Sequence, residues 1–140
     1  PNTYLWGGTI GPNYDCSGLV QHAFSTQGIW LPRDAYQQES FVQPLQNPGD
    51  RPEDLQAVLE PGDLIFFGTP VKATHVAIYL GKGTYIHSSG KDQGRNGIGI
   101  DALTETGEQV SRNYYAQVRG AGRVVRSYQP GDQPWLRTTS

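Results

Sequence analysis

Apolar positions follow two different periods along this chain. After Asp15, Leu19, Val20, Ala23 and Phe24 recur at helical spacing, which predicts a helix from about Cys16 to about Gln27, capped by Asp15 and stopped by Gly28. Ile29–Pro32 reads as a short extended piece, and Asp34 caps a second short helix from Ala35 to about Phe41. Residues 1–14, aromatic and Gly-rich, read as a packed loop rather than a regular element. Residues 43–63 carry Pro44, Pro48, Pro52 and Pro61 with Gly49 and Gly62, and read as a surface excursion with one helical turn around Glu53–Val58. From residue 64 the signals are those of strands: Leu64–Phe67, His75–Leu80, Thr84–His87 and Gly97–Asp101, with Tyr114–Val118 and Gly122–Val125 as two more. Residues 129–140 read as a loop or a docked terminus. Helices first and strands afterwards predict an α+β fold, a helical face packed on an antiparallel sheet. The 140 residues show no repeat and no internal linker, so one domain over 1–140 is expected.

Composition narrows the classes. No apolar run reaches the roughly 18–20 residues of a membrane span, and no basic-then-apolar leader is visible. A single cysteine excludes an intramolecular disulfide framework and a Cys-rich zinc site. The net charge of −2 is uneven: residues 1–70 carry two bases against eight acids, residues 71–140 nine bases against five acids. That balance does not fit a nucleic-acid binder. The basic half can meet an anionic ligand, or be a mixed solvated surface. The chain has no methionine, so the expectation is that something preceded Pro1.

Candidate chemistry centres on Cys16. Its offsets to Leu19, Val20, Ala23 and Phe24 place it on the core stripe in the first helical turn. As a free cysteine it can be a small buried hydrophobe. At a helix start it can equally be a nucleophile, because unpaired N–H groups and the helix dipole favour thiolate and can hold an oxyanion. His22, at +6 from Cys16, points away from the stripe and reads as a surface residue. His75 and His87 flank Gly81-Lys82-Gly83. If all three residues form the turn, Ala77 faces His87, and both histidines share a face as diagonal neighbours. A two-residue turn would put them on opposite faces. Two histidines on one face can hold zinc only if Cys16 joins them. The alternative makes Cys16 the nucleophile, one histidine its base and the other the orienting group.

In order along the chain, YLWGG (4–8), DCSGLVQHAF (15–24), LPRDAYQQ (31–38), PGDLIFFG (61–68), THVAIYLG (74–81) and YIHSSG (85–90) resemble the NlpC-type cell-wall peptidases. GRNGIGIDAL (94–103) and RGAGRVV (119–125) extend the likeness. The set most resembles the bacterial γ-D-glutamyl-L-diamino acid endopeptidases. The resemblance implies a papain-like α+β fold, with a nucleophile helix packed on a central antiparallel sheet. It implies Cys16 as nucleophile, His75 as base and His87 as orienting residue, with no metal and no cofactor. It places Tyr4 beside the nucleophile and Asp15 and Ser17 along the substrate cleft. Arg33 either meets a substrate carboxylate or pairs in the neighbourhood of Asp34. Relatives of this subgroup carry a small β-barrel targeting domain ahead of the catalytic one; this chain shows no such segment. The implied partner is a peptidoglycan stem peptide or murein tripeptide. The implied reaction is hydrolysis of the γ-D-glutamyl-diamino acid amide. The rivals are a non-catalytic wall-binding module, or an amidase or acyltransferase on the same scaffold. Neither a cytoplasmic nor an envelope location is singled out.

Overall fold

The computed structural model describes residues 9–10, 13–89, 97–104 and 109–127. Two short strands, β1 (Thr9–Ile10) and β2 (Asn13–Tyr14), pair antiparallel where the sequence suggested only a loop. Helix α1 (Cys16–Ser25) follows at once, then α2 (Ala35–Phe41), both beginning where the capping residues predict. The Asp34 N–H donates to Gln37 Oε1 at 3.2 Å, tying off the start of α2.

The Pro-rich stretch is more structured than its composition suggests. It forms β3 (Gln43–Leu45) and a 3-10 helix (Pro52–Ala57), and it buries Leu55 and Leu59 in the core. Pro44 is tolerated because β3 is an edge strand, where a missing N–H need not break a ladder. The remaining strands are β4 (Leu64–Gly68), β5 (Ala73–Gly81), β6 (Thr84–Ser89), β7 (Gly97–Ala102) and β8 (Val118–Arg123). They form one antiparallel sheet in the order β3-β8-β4-β5-β6-β7.

The expected pair of strands over Tyr114–Val118 and Gly122–Val125 is corrected. Tyr114 lies in helix α3 (Gln109–Tyr115), and a single strand, β8, follows. Val110, Ser111 and Tyr114 are buried at helical spacing. In β8, Gly120, Ala121 and Gly122 carry little β-propensity, and the smallness of Gly122 has a packing use. A Cβ on Gly122 would sit 2.2 Å from Val42 Cγ2, so only glycine lets the end of α2 close onto the sheet.

The sheet has a core on each face. One gathers Leu55, Ile65, Phe67, Ala77, Tyr79, Tyr85 and Tyr114 under the 3-10 helix and α3. The other gathers Cys16, Val20, Leu31, Phe41, Phe66 and Val76 under α1 and α2. Asp63, at the turn into β4, accepts from the Glu60 N–H at 2.8 Å and from Arg123 Nε and Nη2 at 3.0 and 2.8 Å. That turn is thereby fastened to the end of β8. Among the described residues no helix is long and apolar enough to cross a membrane.

Gly122→Ala is expected to destabilise the fold by about 1–3 kcal/mol, the usual range for overpacking. Val42→Ala added to it should recover part of the loss, because the clash is with that side chain. Urea unfolding of the two single variants and the double variant measures the coupling; strict additivity would contradict the contact.

Candidate active site

Cys16 is the first residue of α1, and the residues around it form a hydrogen-bonded brace. Asp15 caps the helix, its Oδ1 accepting from the Gly18 N–H at 2.7 Å. Its Oδ2 accepts from Arg33 Nη2 at 3.0 Å, and Arg33 Nη1 donates to Ser17 Oγ at 2.9 Å. Arg33 therefore pairs with Asp15, not in the neighbourhood of Asp34. Buried Gln38 of α2 completes the brace, its Nε2 donating to the carbonyls of Ser17 (3.2 Å) and Pro32 (2.9 Å). The first turn of α1 is thus held by its own cap and by α2.

The thiol sits against the backbone of β5. Cys16 Sγ lies 3.9 Å from the Thr74 carbonyl oxygen, and the Val76 N–H is the backbone donor that most favours its ionised form. The register explains why this backbone is accessible. β5 pairs with β6 at Gly81↔Thr84, Tyr79↔Tyr85 and Ile78↔Ile86, and the ladder ends there, although β6 continues against β7 as far as Ser89↔Gly97. Tyr79 directs its own N–H and C=O to Asp63 and Gly62, on the β4 side, at 2.8 Å each. Alternation then directs the N–H of Val76 to the β6 side. There the thiol stands where a longer β6 ladder would have run.

The same hairpin sets the histidines. Its turn is two residues, Lys82 and Gly83, both with positive φ (54° and 77°), the type I′ geometry that suits a right-twisted ribbon. A two-residue turn alone would turn His75 and His87 to opposite faces. A bulge restores the match: Tyr79↔Tyr85 is followed by Gly81↔Thr84, so Leu80 has no partner. His75 and His87 share a face, and His75 Nε2 lies 2.8 Å from His87 Nδ1. On β7, Asp101 continues the row, with Oδ2 at 2.6 Å from His87 Nε2. Helix α3 covers all three. The Tyr114 ring stacks on His75 at 4.4 Å between centroids and meets His87 edge-on at 4.9 Å. Its hydroxyl is 2.7 Å from Ser89 Oγ, and Ser111 Oγ reaches Asp101 Oδ1 at 3.5 Å.

Burial dominates the electrostatics. The thiol is 5% exposed, and its desolvation pushes the Cys16 pKa up to about 11, against backbone hydrogen bonds that lower it. Burial likewise holds His75 well below the usual imidazole range, helped by its neighbour His87 and opposed by Asp101. The resting pair at neutral pH is therefore a thiol and a neutral imidazole, not the thiolate that a helix start alone would favour.

Asp101, Tyr114 and Gln38 were not singled out in the sequence. Asp101 left one signal, an acid in a short strand otherwise built of Gly, Ile and Ala. Tyr114 was hidden by the mistaken strand. His22 is exposed on α1, as expected. Tyr4 lies outside the described residues.

Since only the thiolate is alkylated, the rate of Cys16 modification by iodoacetamide should climb about tenfold per pH unit from about pH 7 to about pH 10. A plateau already at neutral pH would mean a resting ion pair and contradict the raised thiol.

Comparison with known proteins follows the same lines. The family model described as NlpC/P60 matches residues 2–127. The bifunctional muramidase/DL-endopeptidase CwlT of Bacillus subtilis is 38% identical over 90 residues, covering 61% of this chain and 25% of CwlT. The chain spans only 20–25% of the length of such curated relatives. Among solved structures, an NLP/P60 family protein from Staphylococcus aureus, described as similar to lipoprotein, superposes with a TM-score of 0.67 at 31% identity, covering 89% of this chain and 37% of that one. RipD of Mycobacterium tuberculosis, described as a non-catalytic NlpC/p60 domain protein adapted to peptidoglycan binding, gives 0.56 at 27% identity, with 79% and 67% covered. The papain-like α+β fold expected from the sequence is the fold these structures share, and the chain belongs to the NlpC/P60 family.

Proposed function

We propose that this chain is a cysteine endopeptidase domain that hydrolyses the amide between the γ-carboxyl of D-Glu and the following diamino acid in a peptidoglycan stem peptide. The observation that carries this reading is the hydrogen-bonded row His75, His87 and Asp101, which begins on β5 next to Thr74, whose carbonyl oxygen lies 3.9 Å from the Cys16 thiol. Relatives named as endopeptidases support the reaction class. The γ-D-glutamyl bond is assigned from the sequence resemblance.

The steps follow from the groups present. His75 has Nε2 engaged with His87, so Nδ1 is the ring atom that takes the thiol proton as Sγ attacks the γ-carbonyl carbon. The Gly18 N–H is held by Asp15, so the Cys16 and Ser17 N–H groups are those left to receive the oxyanion. The imidazolium then returns its proton to the leaving amine. A water deprotonated by the same ring cleaves the thioester, and the proton goes back to the thiolate. Asp15, Ser17 and Arg33, joined beside the nucleophile, form one wall of the substrate cleft in this reading. Tyr4 is placed on the wall by resemblance.

A second reading is favoured by the likeness to RipD: a wall-binding module without turnover. Incubating the protein with purified stem tripeptide, and identifying products by mass, separates the two. Cleavage between D-Glu and the diamino acid is expected; binding without cleavage would establish the second reading. An amidase or acyltransferase would release or transfer a different fragment.

Folded Cys16→Ala and His75→Ala should lose nearly all hydrolysis, because general acid–base help alone is worth about 10²–10⁴-fold. His87→Gln keeps an atom able to meet His75 and should retain measurable kcat/KM, with His87→Ala below it and His22→Ala unaffected. Substantial turnover by folded Cys16→Ala would overturn the mechanism.

Hydrolysis should also survive strong chelators and be lost to a thiol alkylator. Loss on chelation with recovery on adding zinc would instead favour a Cys16, His75, His87 metal site.

A further inference from the structure

Two imidazoles joined nitrogen to nitrogen can share one proton in either of two directions, and only one of them suits a base. A neutral imidazole carries its proton on one nitrogen and a lone pair on the other. If His87 bears its proton on Nδ1, it donates to His75 Nε2; neutral His75 must then carry its own proton on Nδ1, the atom needed to receive the thiol proton. If His87 bears its proton on Nε2, its Nδ1 accepts from His75 Nε2–H, and His75 Nδ1 is left as a lone pair. The 2.8 Å contact between the rings is compatible with both.

The far end of the row breaks the tie. His87 Nε2 is 2.6 Å from Asp101 Oδ2, and the two side chains are 0% and 1% exposed. With Asp101 ionised and His87 neutral, the carboxylate has no proton to give, and this short contact puts the single proton of His87 on Nε2. Asp101 is itself fixed: its strand residue pairs with Tyr85, and α3 brings Ser111 Oγ to its other oxygen while the same hydroxyl accepts from the Ala102 N–H at 3.0 Å.

We propose that Asp101 is a positioning residue that sets the tautomers of both histidines, so that His75 presents an unprotonated Nδ1. This rests on the catalytic reading of Cys16 and His75. Asp101 acts through two rings and touches no reacting atom.

The test is nitrogen-15 NMR of the histidine side chains, which reads tautomers without turnover, together with kcat and KM on one stem tripeptide. In the wild-type protein both His75 and His87 should carry their proton on Nε2. Asp101→Leu should move His75 toward the Nδ1–H form and lower kcat about 10²-fold or more, with KM little changed. Asp101→Asn, nearly the same shape, covers the case in which Asp101→Leu does not fold. When its amide oxygen faces His87, the Nε2–H form and much of the rate should persist; when its NH₂ does, the tautomer flips and the rate must fall with it. Wild-type tautomers in folded Asp101→Leu, or full rate with a flipped His75, would overturn the proposal. Should the wild-type protein not hydrolyse the peptide at all, the catalytic reading fails, while the spectra still decide what Asp101 does to the rings.

Discussion

β5 pairs with β6 only as far as Ile78↔Ile86, and the site is built on that early end. Had the ladder run on, the Val76 N–H would have bonded to β6, and the head of α1 would have had no place at the sheet. Because it stops, Cys16 can rest against Thr74 and Val76 while Val20 and Phe24 pack on the α1 face. His75 lies between Thr74 and Val76 in sequence, so one short stretch of backbone positions both the thiol and the His75 imidazole. The bulge at Leu80 belongs to the same constraint, since it carries His75 onto the face of His87 and Asp101. The site therefore sits at a seam. The thiol belongs to the α1/α2 core, the imidazoles to the α3 core, and β5 joins them.

Two opposing effects act on the thiol, and their sizes decide its resting state. A helix N-terminus is worth about 0.3–1 kcal/mol to a nearby anion, up to about 2 in a partly buried site. A rise from 9.0 to about 11 corresponds to about 3 kcal/mol against ionisation, so burial wins. Asp15 adds to it, as a negative neighbour that also caps the helix. Its charge is shared with Arg33, which limits the repulsion. The proposed mechanism keeps the Cys16 thiol protonated until a substrate arrives and His75 takes the proton. It needs His75 neutral, with the correct nitrogen bare, and burial supplies the first condition.

Those balances also show what could be read from the residues alone. The start of α1 was legible because Asp15 is a strong cap and the apolar stripe is regular; the start of α2 was legible from the Asp34 cap. The histidine pairing was legible only conditionally, because it depended on the turn length. The turn is in fact two residues, and the shared face came from a bulge that nothing in THVAIYLGKGTYIH marks. Val118–Arg123 was misread because Gly120 and Gly122 weaken the strand signal, while the requirement for Gly122 lies in Val42, 80 positions away. Asp101 was missed for a related reason. An acid near the end of a short strand looks solvated until register puts it two places from the partner of His87, under a helix.

Helix α3 is the element whose misreading mattered most. As a strand, Tyr114 would have been one more sheet residue. As a helix residue it lies flat on His75, edge-on to His87 and Phe67, with its hydroxyl at Ser89. An imidazole flanked this way loses rotational freedom and water together. One turn earlier on the same face, Ser111 touches Asp101. The helix thus closes the row His75, His87, Asp101 from above, at the spacing of i and i+3 that α-helices offer and strands do not. The packing of α3 against β5, β6 and β7 thus adds to the burial that lowers the basicity of His75, and holds in place the line of hydrogen bonds that the strand register sets up.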